Sequence, residues 1–136
     1  MILSDQLCEV PGQGDSLAAC LASILEARQD TIPPLDTGNN LEEMESVLAM
    51  RGMGFCWLVG DMTGFKVPSW CLPHVILVGG SPRNPQFGHA VVADVTETGL
   101  VVSHDPHSSR QGIRKPWRGV ITLFTLSDFK RYALGE

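Results

Sequence analysis

Apolar positions along the chain recur first with a helical period and later in short β-type runs. Leu17, Cys20, Leu21, Ile24 and Leu25 fall at helical spacing behind Asp15 and Ser16, either of which is a good N-cap, and predict a helix over 16–28. Ala18, Ala19, Ala22 and Ser23 keep that helix slim, so neighbouring backbone can approach closely. Pro33 and Pro34 in "TIPPLD" cannot continue a helix and are expected to stop it. Asn39 and Asn40 offer the next cap. In "LEEMESVLAMRG", Leu41, Met44, Val47, Leu48 and Met50 form a second stripe that ends at Gly52. Glu42, Glu43 and Glu45 lie in its first turns, where the helix dipole favours negative charge, and read as a solvated face.

From Gly54 the texture changes. "FCWLV" (55–59), "HVILVG" (74–79), "HAVVADV" (89–95), "LVVSHD" (100–105) and "GVITLFTL" (119–126) are rich in Val, Ile and aromatics, with turn residues between them. "TETG" joins the 89–95 and 100–105 runs as a hairpin-sized connection. "SDFKRYAL" reads as a short capped helix. Helices first and strands afterwards predict an α+β fold, with the N-terminal helix packed on a mainly antiparallel sheet. No internal repeat, low-complexity segment or boundary interrupts residues 1–136, so one domain is expected.

Composition narrows the function classes. A net charge of −5 with pI near 5.3 carries no electrostatic footprint for nucleic acid or an anionic membrane. No apolar run approaches the roughly 18 to 20 residues of a membrane span. Residues 1–12 hold Asp5 and Glu9 and no basic stretch, which argues against a secretory signal, and a cytoplasmic location is expected. Cys8, Cys20, Cys56 and Cys71 form no C-x-x-C pair or zinc spacing and are expected to be reduced. Each is most simply a small buried hydrophobe. Trp57, Trp70 and Trp117 read as core or rim packing.

The chemistry lies in the placement of histidine and aspartate. His89 opens one strand in "FGHAVV", and Asp105 closes the next in "SHDPHSS", where Pro106 stops it. In an antiparallel hairpin those two positions lie at the same end of the sheet, so the pair is predicted to be in contact. A carboxylate so placed holds an imidazole in one tautomer and stabilises its protonated form. The N-terminus of the first helix supplies free N–H groups and a dipole that lower a thiol pKa and bind a developing oxyanion. Gly12 and Gly14 leave space there for a substrate. Cys20, a full turn inside on the Leu17–Leu21 stripe, is expected in the core. Taken singly, these residues have plainer readings: Ser16 a cap, His89 a half-buried strand histidine, Asp105-Pro106 a turn opener.

"GDSLAACLASIL", "GGSPRNPQFGHAVV" and "SHDPHSSRQGI" together resemble the papain-like cysteine peptidases of the small phage and prophage type. These are related to the bacteriocin-processing (double-glycine) peptidase domains of ABC transporters. In that family the helix opens with a pattern close to G-[ND]-C-x-x-A-C-[LIV]-A-S-[IL]-L, and the chain departs from it at the first cysteine, which is Ser16. The resemblance spans residues 6 to 113 and implies a papain-like fold with Ser16 at the nucleophile position, His89 as base, Asp105 as its orienting carboxylate and Gln6 as the oxyanion-hole amide. Gln13, only three residues before Ser16, is the weaker match for that amide. Gln13 and Gly14 border the nucleophile on the substrate side, and Arg83 and His107 fall at the rim. Arg83 either reads a substrate carboxylate or pairs with an acidic loop.

The implied activity is a thiol hydrolase that cleaves a peptide or isopeptide amide through an acyl-enzyme. Deamidation, transglutamination and γ-glutamyl transfer use the same constellation, and a catalytically silent binding module is the alternative of a different class. The resemblance also implies a peptide or protein substrate of a bacterial host. A serine hydroxyl is far harder to ionise than a thiol, so the Ser16 form is expected to be inactive. Three accounts of Ser16 stand open: a cysteine exchanged for serine to trap an inactive enzyme, a natural pseudoenzyme with a binding groove, or a true serine hydrolase. His104, Asp105 and His107 invite a metal reading. Alternation turns His104 away from Asp105 and Pro106 redirects the chain, so no metal or organic cofactor is expected. His74 has no partner motif and reads as structural.

Overall fold

Strong β-formers run along 74–79, 89–95 and 119–125, and in the computed structural model these runs form the centre of one antiparallel sheet. The structure describes residues 1–9, 15–33, 35, 41–60, 65–84 and 86–135. Gly12, Gln13, Gly14, Pro34, Asn39 and Asn40 therefore lie outside the described residues. The elements in chain order are α1 (Ser16–Leu25), a 3-10 turn (Gln29–Thr31), α2 (Leu41–Ala49), β1 (Met53–Val59), β2 (His74–Gly80), β3 (Gly88–Thr96), β4 (Gly99–His104), β5 (Arg114–Thr125) and α3 (Leu126–Ala133). The described strands are ordered β1-β5-β2-β3-β4, every neighbour antiparallel. The chain is thus α+β, with the last strand inserted between the first two.

Alternation assigns the two faces of the central strands. Ile76, Val78, Ala90, Val92, Ile121 and Leu123 face α1 and α2, meeting Leu17, Leu21, Met44 and Leu48. Each fully buried leucine there contributes about 1.5–3 kcal/mol. Val75, Leu77, Val91, Ala93 and Val120 face the other way, under Phe65, Val67, Ile113 and Trp117. Both faces of β2 and β3 are covered, which is why these strands read as near-continuous apolar runs rather than as strict alternation. Trp57 packs on the first core and Trp117 on the second. Trp70 meets Phe124, Phe129 and Tyr132 at ring-centroid distances of 5.1, 5.2 and 5.5 Å. That cluster holds α3, which buries none of its residues fully.

Local signals misplace several boundaries. The first helix ends at Leu25, not 28, because Glu26 turns into the left-handed region (φ 53°) and its N–H bonds the Ala22 carbonyl. The stop precedes Pro33 and does not depend on it. Asp15 occupies the cap position without capping; its carboxylate accepts from the N–H groups of Leu7 and Cys8 and from Gln29 Nε2 instead. A tertiary demand has taken the side chain that local geometry offered to the helix. Nor is α1 buried along one stripe only. Ser16 through Ile24 are all buried, Ser23 included, because residues 2–4 cross the outer side: Ser4 N–H donates to Ser23 Oγ at 2.8 Å.

Met50 is 87% exposed, since α2 ends at Ala49 and the stripe does not extend to it. Met44, Val47 and Leu48 are buried, and Glu42, Glu43 and Glu45 are exposed. Gly52 follows α2 with φ +68°, the left-handed stop its position implied. β5 begins five residues before the expected start at Gly119, and α3 is capped by Thr125, whose Oγ1 accepts from Asp128 N–H. Among the described residues, no helix is long and apolar enough to cross a membrane.

Candidate functional site

The site grows from the open end of the β3–β4 hairpin. Gly99, with φ +120°, closes the turn, and Thr96 Oγ1 donates to its carbonyl at 2.7 Å. The ladder runs from Thr96↔Gly99 to Val92↔His104 with a bulge before the last pair. Beyond it β4 leaves the sheet, so residues 88–91 of β3 keep an edge with no β4 partner. That edge is where His89, Asp105 and Ser16 converge.

His89 Nε2 lies 2.7 Å from Asp105 Oδ1, and both side chains are almost wholly buried (4% and 3% exposed). The carboxylate is fixed on every side. Oδ1 also accepts from His107 N–H at 2.9 Å, and Oδ2 from Gly112 N–H at 2.7 Å. Burial pushes the Asp105 carboxyl up, but the hydrogen bond from His89 and those from the two backbone N–H groups outweigh it and hold it below its ordinary value. Asp105 is therefore a permanent anion at neutral pH. With Nε2 committed to it, Nδ1 is the imidazole nitrogen left for proton transfer.

Ser16, the first residue of α1, is buried, and its Oγ accepts from Ala90 N–H at 3.2 Å. Ala90 is the next residue after His89, so Ser16 abuts the histidine through the β3 edge that β4 has left. The hydroxyl and the imidazole do not hydrogen-bond to one another. Cys20 is fully buried, and its thiol is pushed well above the ordinary range, first by burial and then by the negative charge of Asp105. It is a core residue beside the site and a poor nucleophile.

Gln6 sits on an extended N-terminal strap, residues 4–9, pinned at both ends of the site. Its N–H donates to Pro106 O at 2.9 Å, while Leu7 and Cys8 N–H reach the Asp15 carboxylate and Asp15 N–H returns to Cys8 O. The strap therefore bridges the residue before Ser16 and the residue after Asp105. Gln6 Nε2 donates one hydrogen to Cys8 O at 3.0 Å, and Oε1 is buried with no partner among the described residues. An unpaired buried acceptor costs free energy, and such groups are uncommon in native proteins.

His107 lies at the rim with its ring edge-on to His89, centroids 6.1 Å apart. Its Nε2 is 2.9 Å from Glu9 Oε2, and Nδ1 accepts from Ser109 N–H. Burial, with the charge of Arg83 next, lowers the pKa of His107. Arg83 is exposed and donates to Ser109 Oγ at 2.7 Å. His104 turns to the Ser4 carbonyl and the Asp5 carboxylate, both at 3.1 Å. His104, Asp105 and His107 thus serve three different sets of partners, and among the described residues no group of three His, Cys, Asp or Glu is placed to hold a metal. Gln13 and Gly14 fall outside the described residues. His74 pairs with Asp94 directly across β2–β3, Nδ1 to Oδ1 2.6 Å, a cross-strand pair that the alternation alone did not reveal.

Sequence reasoning passed over Arg110 and Asp5. Arg110 donates to both carboxylate oxygens of Asp5, at 2.7 and 2.9 Å, and to the Asp105 carbonyl. A pairing 105 residues apart leaves no local signal. Compared with models of protein families and with curated proteins, the chain matches none.

Proposed function

We propose that this chain is a papain-like acyl-transfer protein, a thiol hydrolase of peptide or isopeptide amides whose nucleophile position is occupied by Ser16. The observation that carries the reading is the buried His89–Asp105 pair beside the N-terminus of α1, joined to Ser16 through Ala90 N–H. With a thiol at position 16, His89 takes its proton and the sulfur attacks the substrate carbonyl. The helix N-terminus and the Gln6 amide, which gives Cys8 O only one of its two Nε2 hydrogens, stabilise the charge that develops on the carbonyl oxygen. His89 then protonates the leaving amine, and water releases the acyl group by the reverse sequence. With serine, the dipole and the imidazole have a much weaker acid to ionise, and turnover is largely lost.

A silent binding module is the second reading. It is favoured by the Ser16 hydroxyl already serving as acceptor for Ala90 N–H and by the Gln6 amide already bonded to Cys8 O. One comparison separates the two. The Ser16→Cys chain is expected to be alkylated by iodoacetamide at position 16 much faster than a free thiol in solution, and His89→Ala to abolish the advantage. Labelling no faster than a free thiol would exclude the enzyme. Peptide mixtures incubated with both forms and read by mass spectrometry should show cleavage or acyl transfer only with Ser16→Cys.

A further inference from the structure

The N-terminal strap is held to the 104–110 loop by side chains with no place in the chemistry itself. Arg110 is the centre of that attachment. Its guanidinium grips Asp5, the residue before Gln6, through both carboxylate oxygens and also donates to the carbonyl of Asp105. One side chain thus ties the backbone carrying the oxyanion amide to the backbone carrying the triad carboxylate. Asp5 also takes His104, and three residues after Gln6 the Glu9 carboxylate accepts from Ser108 N–H and Oγ.

Stability is a poor explanation for this arrangement. Arg110 and Asp5 are both about half exposed (48% and 56%), and exposed ion pairs contribute little. Arg110 also adopts φ +54°, a left-handed conformation that is unfavourable for an arginine and would suit glycine or asparagine better. The pair scarcely offsets the strain it requires. Strain kept in this way concentrates where geometry matters to function. A planar guanidinium that engages two carboxylate oxygens fixes orientation as well as distance.

We infer that Arg110 is a positioning residue: through Asp5 it sets the Gln6 amide against the carbonyl oxygen of an acyl group at position 16. This rests on the acyl-transfer reading above. Two probes of the Ser16→Cys chain separate the role from a structural one. Iodoacetamide alkylation reports the activated thiol and forms no oxyanion, whereas acylation by p-nitrophenyl acetate passes through one. Rates at position 16 are taken by mass spectrometry, so that Cys8, Cys56 and Cys71 do not contribute.

Asp5→Asn, which leaves Asp105 untouched, and Arg110→Asn, which relieves the φ strain, should each slow acylation about tenfold, well inside the range of a lost oxyanion donor. Alkylation should stay within about twofold. In the Gln6→Ala background Asp5→Asn should have little further effect on acylation. Equal loss with both probes, no loss with either, or full additivity with Gln6→Ala would overturn the positioning role. If Ser16→Cys alone reacts with both probes no faster than a free thiol, the acyl-transfer reading falls and the clamp with it.

Discussion

Asp105 presents Oδ1 to His89 Nε2 at 2.7 Å and takes two backbone N–H groups on its remaining lone pairs. All three neighbours are donors, so only a carboxylate satisfies them. Asp105→Asn must turn an NH2 group toward at least one N–H and leave it unpaired. We expect a loss of about 1–3 kcal/mol, read from urea midpoints. In the Ser16→Cys chain the same change removes the charge that stabilises the imidazolium, and iodoacetamide labelling should slow by about tenfold or more. An Asn variant with unchanged stability and labelling would show that the carboxylate is not what organises this end of the sheet.

Ser16 has a structural duty that holds under either functional reading. The β3 edge has lost β4 by residue 90, and the Ser16 hydroxyl is the acceptor that pairs Ala90 N–H. Ser16→Ala leaves that buried N–H unpaired and should cost about 1–3 kcal/mol. Thermal or urea unfolding of the single variant checks it, and an unchanged midpoint would mean that water replaces the hydroxyl.

Cys20 is predicted to be silent in the native protein. It is inaccessible, and burial together with Asp105 disfavours its thiolate. Under native conditions iodoacetamide should modify the half-buried Cys8, Cys56 and Cys71 while sparing Cys20, which reacts only after denaturation. Native labelling at Cys20 would mean that α1 opens enough to expose its buried face.

These expectations show which parts of the molecule were legible in advance. The His89–Asp105 contact could be read because a four-residue turn and strand periodicity determine which residues share a hairpin end. The five strands were legible for the same local reason. The insertion of β5 between β1 and β2 was not, because strand order depends on pairings distant in sequence. Asp15 illustrates the same limit at one residue. Its position is that of a cap, but the strap offers it the Leu7 and Cys8 N–H groups, and only the folded chain brings those close. Arg110, seen locally as part of a turn, gains its partners from residue 5.

Gly119 is fixed by its neighbours on both sides. It lies between Val59 of β1 and Val78 of β2, and a Cβ there would come within 2.7 Å of both the Leu58 carbonyl oxygen and the Trp57 ring. The ring has some freedom to move, whereas the carbonyl belongs to the ladder. Gly119→Ala should therefore destabilise by about 1–3 kcal/mol through overpacking, with the midpoint of thermal unfolding falling accordingly. Retention of full stability would mean that β1 shifts away from β5 at little cost.

The rim gives the protein a two-step response to acid. His107 has its pKa lowered by burial and by Arg83, so the folded protein prefers it neutral, while the unfolded chain protonates it near pH 6.5. Its contribution is complete above that pH and declines as the pH falls from 6.5 toward the folded value. Asp105, Asp5 and Glu9 have carboxyls held below their ordinary values. Burial opposes the shift at Asp105, where the bond from His89 leads the lowering; at Asp5 the Arg110 pair leads it, and at Glu9 the Ser108 N–H. Their contributions are complete above the ordinary carboxylate range, about pH 4 to 5, and are lost as the pH falls through it toward each folded value. Urea midpoints measured against pH should therefore fall gently from about 6.5 downward and then steeply below about 4. His107→Gln should flatten the first segment and leave the second. A His107→Gln profile parallel to that of the unmodified chain throughout would place the neutral-range slope elsewhere.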